Sequence, residues 1–314
     1  MDGHGNAAVS SYRFVTLDVF TDRRFGGNPL AVVPDGAGLS DSEMLAITRE
    51  FNYSETVFVL APDDARHTRR LRIWTPGGEV PFAGHPTVGT AHALAHLGEI
   101  PLTAGEARIV FEEGVGPVPV FIRANASGEP DYAQLSVARL PEELAPPPAL
   151  ETLARVLSLR PGDLLDSQWA PAAVTCGLPF LFVPLRDRAA VERARVNVPE
   201  WERSLRDYVA PDIMVFSREA DGAAVDVHAR VFVPTVSVPE DPATGSAAAA
   251  LGGYLARRDP GSRAGTRRWL IEQGVEMGRP SLLEVEVDED ERHAITSVRV
   301  GGRSVMVSEG TMRV

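Results

Sequence analysis

The chain has 314 residues, 44% hydrophobic and 24% charged, a composition that suits a soluble globular protein with room for two domains. Its net charge of −12 argues against nucleic acid or an anionic membrane as main partner, because both demand a basic face. All 31 basic residues are arginine and Cys176 is the single cysteine, which excludes a Schiff-base or phosphate-loop lysine, a disulfide framework and cysteine-rich metal centres.

Met1 to Ser11 carries neither the basic start nor the apolar core of a secretory leader, and no apolar run approaches the ~20 residues of a membrane span, so a cytoplasmic protein is expected. Tyr12 to Phe20 alternates as a strand does, and a Gly26, Gly27, Asn28, Pro29 turn leads to a second apolar run, Leu30 to Val33. Ser40 with Glu43 three residues on predicts a capped helix through about Phe51, with Met44, Leu45 and Ile47 on its apolar face. Strands follow at Val57 to Leu60 and Leu71 to Trp74, and Ala107 to Phe111 with Pro117 to Arg123 predicts a hairpin. Three consecutive prolines mark 141–148 as a linker. Beyond it the pattern predicts helices near Leu150 to Leu157, Ala189 to Arg195 and Glu200 to Tyr208. It predicts strands at Ile213 to Ser217, Val225 to Phe232, Leu282 to Val287, Ile295 to Val300 and Ser304 to Val307, with an apolar run at Pro179 to Pro184.

One pattern occurs twice. Arg72, Ile73, Trp74, Thr75, Pro76 is answered by Arg230, Val231, Phe232, Val233, Pro234, and Glu79 to His85 (EVPFAGH) by Glu240 to Ser246 (EDPATGS). Each copy runs into an Ala-rich apolar stretch, 86–97 and 247–256, that reads as a buried helix. The polar residues that differ between the copies sit where a turn meets a helix N-terminus, where outward N–H groups favour a carboxylate or a developing oxyanion. Two related lobes of an α+β fold are expected, each a curved, mostly antiparallel sheet wrapped around a central helix, with chemistry between them.

Asn28 to Val33, Asn52 to Thr56, Pro81 to Thr87, Glu240 to Ala247 and Gln273 to Ser281 resemble, in order, the signature blocks of the PhzF family of phenazine-biosynthesis-like isomerases. The resemblance implies a diaminopimelate-epimerase-like fold with two pseudo-symmetric lobes, divided here as 12–128, completed by the C-terminal strand 308–314, and 129–307. It also implies a homodimer and an isomerase that uses no cofactor and no metal. The substrate implied is a small carboxylate-bearing molecule in which a proton moves between carbons.

Glu55 is the expected general acid/base. A proton-shuttling carboxylate needs a pKa raised toward working pH, which burial beside Val57, Phe58 and Val59 supplies, although pattern alone also fits a solvated strand end. His85 reads as a hydrogen-bond donor or proton relay, or as a histidine satisfied by turn carbonyls; Asp241 and Ser246 read as site residues or as an Asx-turn and an N-cap. The resemblance places Glu55, His85 and Asp241 in the catalytic set and Gly84, Gly245 and Ser246 against the substrate. His92 and His96, four apart, lack a third ligand and are read as helix-end residues rather than a metal pair. An epimerase acting beside a carboxylate, or a binding protein without chemistry, are the alternatives; the two-thiol racemase mechanism is excluded because neither repeat turn contains cysteine.

Overall fold

The computed structural model describes residues 10–219, 225–236, 238–259 and 264–314; residues 1–9, which carry most of the reading of the N-terminus, lie outside them. The first half runs β1 (Ser11–Val19), β2 (Asn28–Val33), α1 (Asp41–Phe51), β3 (Glu55–Leu60), β4 (Arg69–Thr75), β5 (Gly78–Val80), α2 (Gly84–His96), β6 (Glu106–Glu113), β7 (Gly116–Ala124) and β8 (Pro130–Ser136). The second runs β9 (Glu142–Glu143), α3 (Leu150–Val156), β10 (Ala172–Thr175), β11 (Pro179–Pro184), α4 (Arg188–Arg193), α5 (Val198–Ser204), β12 (Ile213–Ser217), β13 (Val227–Val233), β14 (Val238–Asp241) and α6 (Gly245–Arg258). It ends with β15 (Gly265–Gln273), β16 (Ser281–Glu289), β17 (Ile295–Gly302) and β18 (Ser304–Arg313).

The strand pairings repeat. β1 and β2 are antiparallel, β2 and β3 parallel, β3 and β4 antiparallel, β4 and β6 parallel, and β6, β7 and β8 antiparallel. The ladder β10, β11, β12, β13, β15, β16, β17 follows the same sequence of orientations. β8 pairs with β17 at the seam, and the strand after each crosses to the far end of the other half: β9 pairs with β10 and β18 with β1. The expected division at residue 128 falls in the turn before β8, and the β7–β8 pairing carries the first ladder on to Ser136.

Each ladder wraps a helix that is buried on almost every side. α2 buries 12 of its 13 residues and α6 12 of its 14, so neither has a solvent face, and small side chains let both lie close under the strands. One apolar cluster runs from Val15 and Leu17 through both helices to Val298 and Val300. α1 packs outside, Met44 and Ile47 against Val33, Phe58 and Trp74, and its Ser40–Glu43 capping box forms as predicted. α3, α4 and α5 cover the outer face of β11 and β12.

Several boundaries move. The helices expected at 189–195 and 200–208 start earlier, because the Asp187 and Asn197 side chains accept from the Ala190 and Glu200 N–H groups and fix the first turns. The strands expected at 304–307 and 308–314 are one, β18, held by its pairing with β1. The proline-rich segment joins the halves but is tied down: Glu142 and Glu143 pair with β10, and Tyr208 donates to the Ala145 carbonyl at 2.8 Å. Among the described residues no helix is long and apolar enough to cross a membrane.

Candidate active site

Local backbone rules deliver the site residues. Asn52 closes α1 in the left-handed conformation, φ 52°, and redirects the chain so that Glu55 is the first residue of β3, opposite Leu30. Gly27, at φ +59°, starts β2 at Asn28; a Cβ on Gly27 would stand 2.3 Å from the Val19 carbonyl oxygen, so no other residue fits the turn. His85 is the second residue of α2, after Ala83 in extended conformation, and Asp241 is the last of β14.

These four residues meet. His85 Nε2 lies 3.4 Å from Glu55 Oε2, and neither atom has a hydrogen-bond partner although both are shielded from solvent. Glu55 keeps 17% of its side chain exposed, through the remainder of the side chain. On the other side of the ring, His85 Nδ1 is 3.2 Å from Asn28 Nδ2, which also donates to Asp241 Oδ1 at 2.9 Å and to the Ala243 carbonyl at 3.0 Å.

Burial sets the protonation states. Desolvation, with the Asp241 charge adding to it, pushes the Glu55 pKa up to about 8. Desolvation alone pushes His85 down to about 3, so the ring is neutral at pH 7 and its contact with Glu55 is not an ion pair. Asp241 is lifted to about 6 by burial, against the lowering effect of the Thr244 hydroxyl and the Asn28 amide. A carboxyl poised near neutrality beside a neutral imidazole is the arrangement a carbon acid requires.

A surrounding frame holds these groups. Gln273 donates to the Asp241 carbonyl at 2.7 Å and accepts from the Thr244 N–H at 3.2 Å, while the Thr244 hydroxyl donates to Asp241 Oδ2. Arg279 reaches back across the halves to the Gly27 carbonyl at 2.7 Å, the Gly26 carbonyl at 2.7 Å and Asp18 at 2.5 Å, fixing the turn before Asn28. Gly84 and Gly245 bring the two helix N-termini into contact: a Cβ on Gly84 would lie 2.8 Å from Gly245 Cα and 3.0 Å from Ser246 N. The close backbone approach at these two glycines is between the helices themselves. Thr244 is the N-cap of α6, which moves Ser246 from the cap to the second residue of the helix.

The structure brings Glu55, His85 and Asp241 together, with Gly84, Gly245 and Ser246 beside them. Asn28 and Gln273 carry no sequence signal beyond the blocks that contain them; their places in the network come from the fold. The strand registers assign each lobe-one residue a counterpart. With Trp74 matched to Phe232, Glu55 corresponds to Asp212, Asn28 to Leu178 and His85 to Ser246, while Asp241 corresponds to Val80. Asp212 accepts from the Thr235 hydroxyl at 2.8 Å, so the second half offers no free carboxylate at the position of Glu55.

The remaining candidates lie elsewhere. His92 is buried and held well below its usual pKa by desolvation, to about 4, so it does not bring positive charge to the helix end; its ring stacks on His96 at 6.5 Å. Among the described residues no group of three or more His, Cys, Asp and Glu is placed to hold a metal ion. Cys176 is buried, and desolvation raises its thiol to about 12, which makes it a small apolar side chain rather than a nucleophile.

Known proteins share the sequence and the fold of this chain. The PhzC-PhzF family, described as phenazine biosynthesis-like protein, matches residues 17–310. An isomerase of Mesorhizobium japonicum is 39% identical over 97% of the chain and 99% of the relative. The trans-2,3-dihydro-3-hydroxyanthranilate isomerase of Pseudomonas aeruginosa is 33% identical over 95% of the chain and 98% of the relative. The crystal structure of a phenazine biosynthesis protein of the PhzF family from Bacillus anthracis superposes with a TM-score of 0.86 at 27% identity, covering 96% of the chain and 99% of that structure. A hydroxyproline epimerase from Agrobacterium vitis shares the fold, with a TM-score of 0.61 at 12% identity over 97% and 93% of the two chains.

Proposed function

The chain belongs to the family of phenazine biosynthesis-like isomerases, and from that premise we propose that it moves a proton between two carbons of a small, unsaturated, carboxylate-bearing metabolite without a cofactor, Glu55 carrying the proton. The observation that supports this reading most is the pair of shielded, unpartnered atoms Glu55 Oε2 and His85 Nε2, 3.4 Å apart. Ionised Glu55 takes a proton from an sp³ carbon, the electron pair moves through the adjacent double bond, and the carboxyl returns the proton at the far end. One C–H bond breaks and one forms, and the protein ends as it began. His85, being neutral, donates a hydrogen bond to negative charge that develops during the shift, and burial makes that donation stronger than it is in water. Burial, with the Asp241 charge adding to it, keeps the Glu55 pKa high, so the carboxyl both accepts and releases the proton near pH 7. The Asp212 position, engaged by Thr235, weighs against a two-base epimerase.

The test uses trans-2,3-dihydro-3-hydroxyanthranilate, the compound in the names of the isomerase relatives, in deuterated water. Glu55→Gln keeps shape and removes proton transfer, so turnover falls by roughly 10²- to 10⁴-fold while binding survives. Full turnover by a folded Glu55→Gln variant rejects the assignment. A folded wild type that binds this compound and leaves its C–H bonds unexchanged points to a different carboxylate as substrate.

A further inference from the structure

Asn28 is wholly buried, and its amide nitrogen faces three atoms: Asp241 Oδ1 at 2.9 Å, the Ala243 carbonyl oxygen at 3.0 Å and His85 Nδ1 at 3.2 Å. A carbonyl oxygen is an acceptor only, and so is an ionised carboxylate oxygen. Turning the amide over would press its own oxygen against both, so these two partners settle which end of Asn28 is nitrogen. The third contact then follows. An amide nitrogen has hydrogens to give and no lone pair to accept with, so a proton on His85 Nδ1 would point at another donor.

We infer that Asn28 is the positioning residue that fixes the tautomer of His85, keeping Nδ1 bare and the proton on Nε2, directed at Glu55, and that it ties this tautomer to Asp241 and Ala243 of the opposite half. The inference rests on the proton-shift reading for its catalytic meaning, and on the hydrogen-bond geometry alone for its structural content. It separates two roles that the sequence left joined. With Nδ1 facing a donor and therefore bare, and Nε2 carrying the hydrogen, His85 donates through Nε2, and proton transfer is left to Glu55. It also explains why the glycine turn and Arg279 are built so firmly around one asparagine: a shift of β2 would take the amide away from Nδ1 and break the link between the halves. The counterpart of Asn28, Leu178, has no amide, and the counterpart of His85, Ser246, has no tautomer to set.

The experiment is ¹⁵N imidazole spectroscopy of the full chain, with His85 identified among the seven histidines by its loss in His85→Gln. The wild type should show a pyridine-type Nδ1 and a pyrrole-type Nε2 that stay so across the neutral range. In Asn28→Leu, which keeps volume and removes the donor, the single-tautomer signature should be lost and turnover of trans-2,3-dihydro-3-hydroxyanthranilate should fall by about 10- to 100-fold, as when an orienting partner of a histidine is removed. Asn28→Ser retains one donor and should keep part of the signature. A pyrrole-type Nδ1 in the wild type overturns the inference whether or not the variants fold, and so does a folded Asn28→Leu with an unchanged signature. Glu55→Gln separates the two claims: if it keeps full turnover while His85 shows the expected tautomer, the proton-shift reading fails and the role of Asn28 in setting the ring stands.

Discussion

Arg72 in the first half and Arg230 in the second make the same brace. Each guanidinium forms two bonds to the glutamate that opens the repeat turn, Arg72 to Glu79 at 2.8 and 2.6 Å and Arg230 to Glu240 at 2.8 and 2.8 Å. Each also lies over the aromatic residue two positions on, 5.2 Å from the Trp74 ring and 4.9 Å from the Phe232 ring. Around this shared brace the halves diverge. Arg72 is near the surface and shares Asp41, whereas Arg230 is buried and donates to the Val191 and Ala194 carbonyls at the end of α4. The first half supplies Asn28, Glu55 and His85 to the site, and the second supplies Asp241 with the Thr244 and Gln273 that hold it. The repeated architecture has its mechanical parts in both halves and the proposed acid/base group in one.

Breaking the two braces should expose the difference in burial first. Glu240→Ala leaves the buried Arg230 charge with the long 3.9 Å contact to Glu276 in place of its two-bond partner and should destabilise the fold by about 3 kcal/mol. Glu79→Ala leaves an arginine that still has Asp41 and solvent, and should cost about 1 kcal/mol or less. Chemical denaturation of the two variants measures both, and equal losses would refute the distinction.

A second difference lies at the ends of β6 and β15, where the registers match Glu113 with Gln273. The Thr87 hydroxyl has one hydrogen and two oxygens beside it, the Ala83 carbonyl at 2.8 Å and Glu113 Oε1 at 2.7 Å. The carbonyl accepts from Thr87, so Glu113 holds a proton and gives it to the hydroxyl, a neutral group like its amide counterpart. Burial agrees, raising the Glu113 pKa to about 8. A carboxyl with a folded pKa above its unfolded value supports the fold at low pH and loses that contribution as pH rises through the folded pKa. Glu113→Gln should therefore gain on the wild type by up to about 1.4 kcal/mol per pH unit between the ordinary glutamate pKa and about 8, read from stability against pH. A pH-independent difference would show that Glu113 is ionised in the folded protein.

The smallest effect concerns how the halves speak to each other. The Asp241 charge raises the Glu55 pKa, so Asp241→Asn should move the rising limb of the kcat/KM pH profile to lower pH. An unmoved limb would mean that Asp241 only binds.

Much of this was legible in the chain because it follows from local chemistry. The capping box at Ser40 and Glu43, the glycine turn before Asn28 and the doubled Arg-to-Glu turn each need particular residues at particular spacings, and each formed. Glu55 and His85 stood out through the family blocks that contain them, since pattern alone also fits a solvated strand end and a histidine satisfied by turn carbonyls. Asn28 and Gln273 did not, since an amide has many uses and their partners are distant: Asn28 meets His85 57 positions away and Asp241 213 positions away. β10 escaped notice because four residues carry no period, and β15 because its first four residues, Gly265 to Arg268, include no apolar side chain on either face, leaving Trp269 and Ile271 to mark the inward face late. The closeness of Gly84 to Gly245 depends on how the two wrapped helices meet, which no local pattern encodes.

The central claim is that one half alone carries the proton, and the matched carboxylates Glu55 and Asp212 test it directly. Solvent deuterium incorporation into trans-2,3-dihydro-3-hydroxyanthranilate and its product is compared for Glu55→Gln and Asp212→Asn, both confirmed folded. The account expects incorporation and turnover to fall by roughly 10²-fold or more in Glu55→Gln and to stay within a few-fold of wild type in Asp212→Asn. Comparable losses in both variants, or a loss confined to Asp212→Asn, would contradict it.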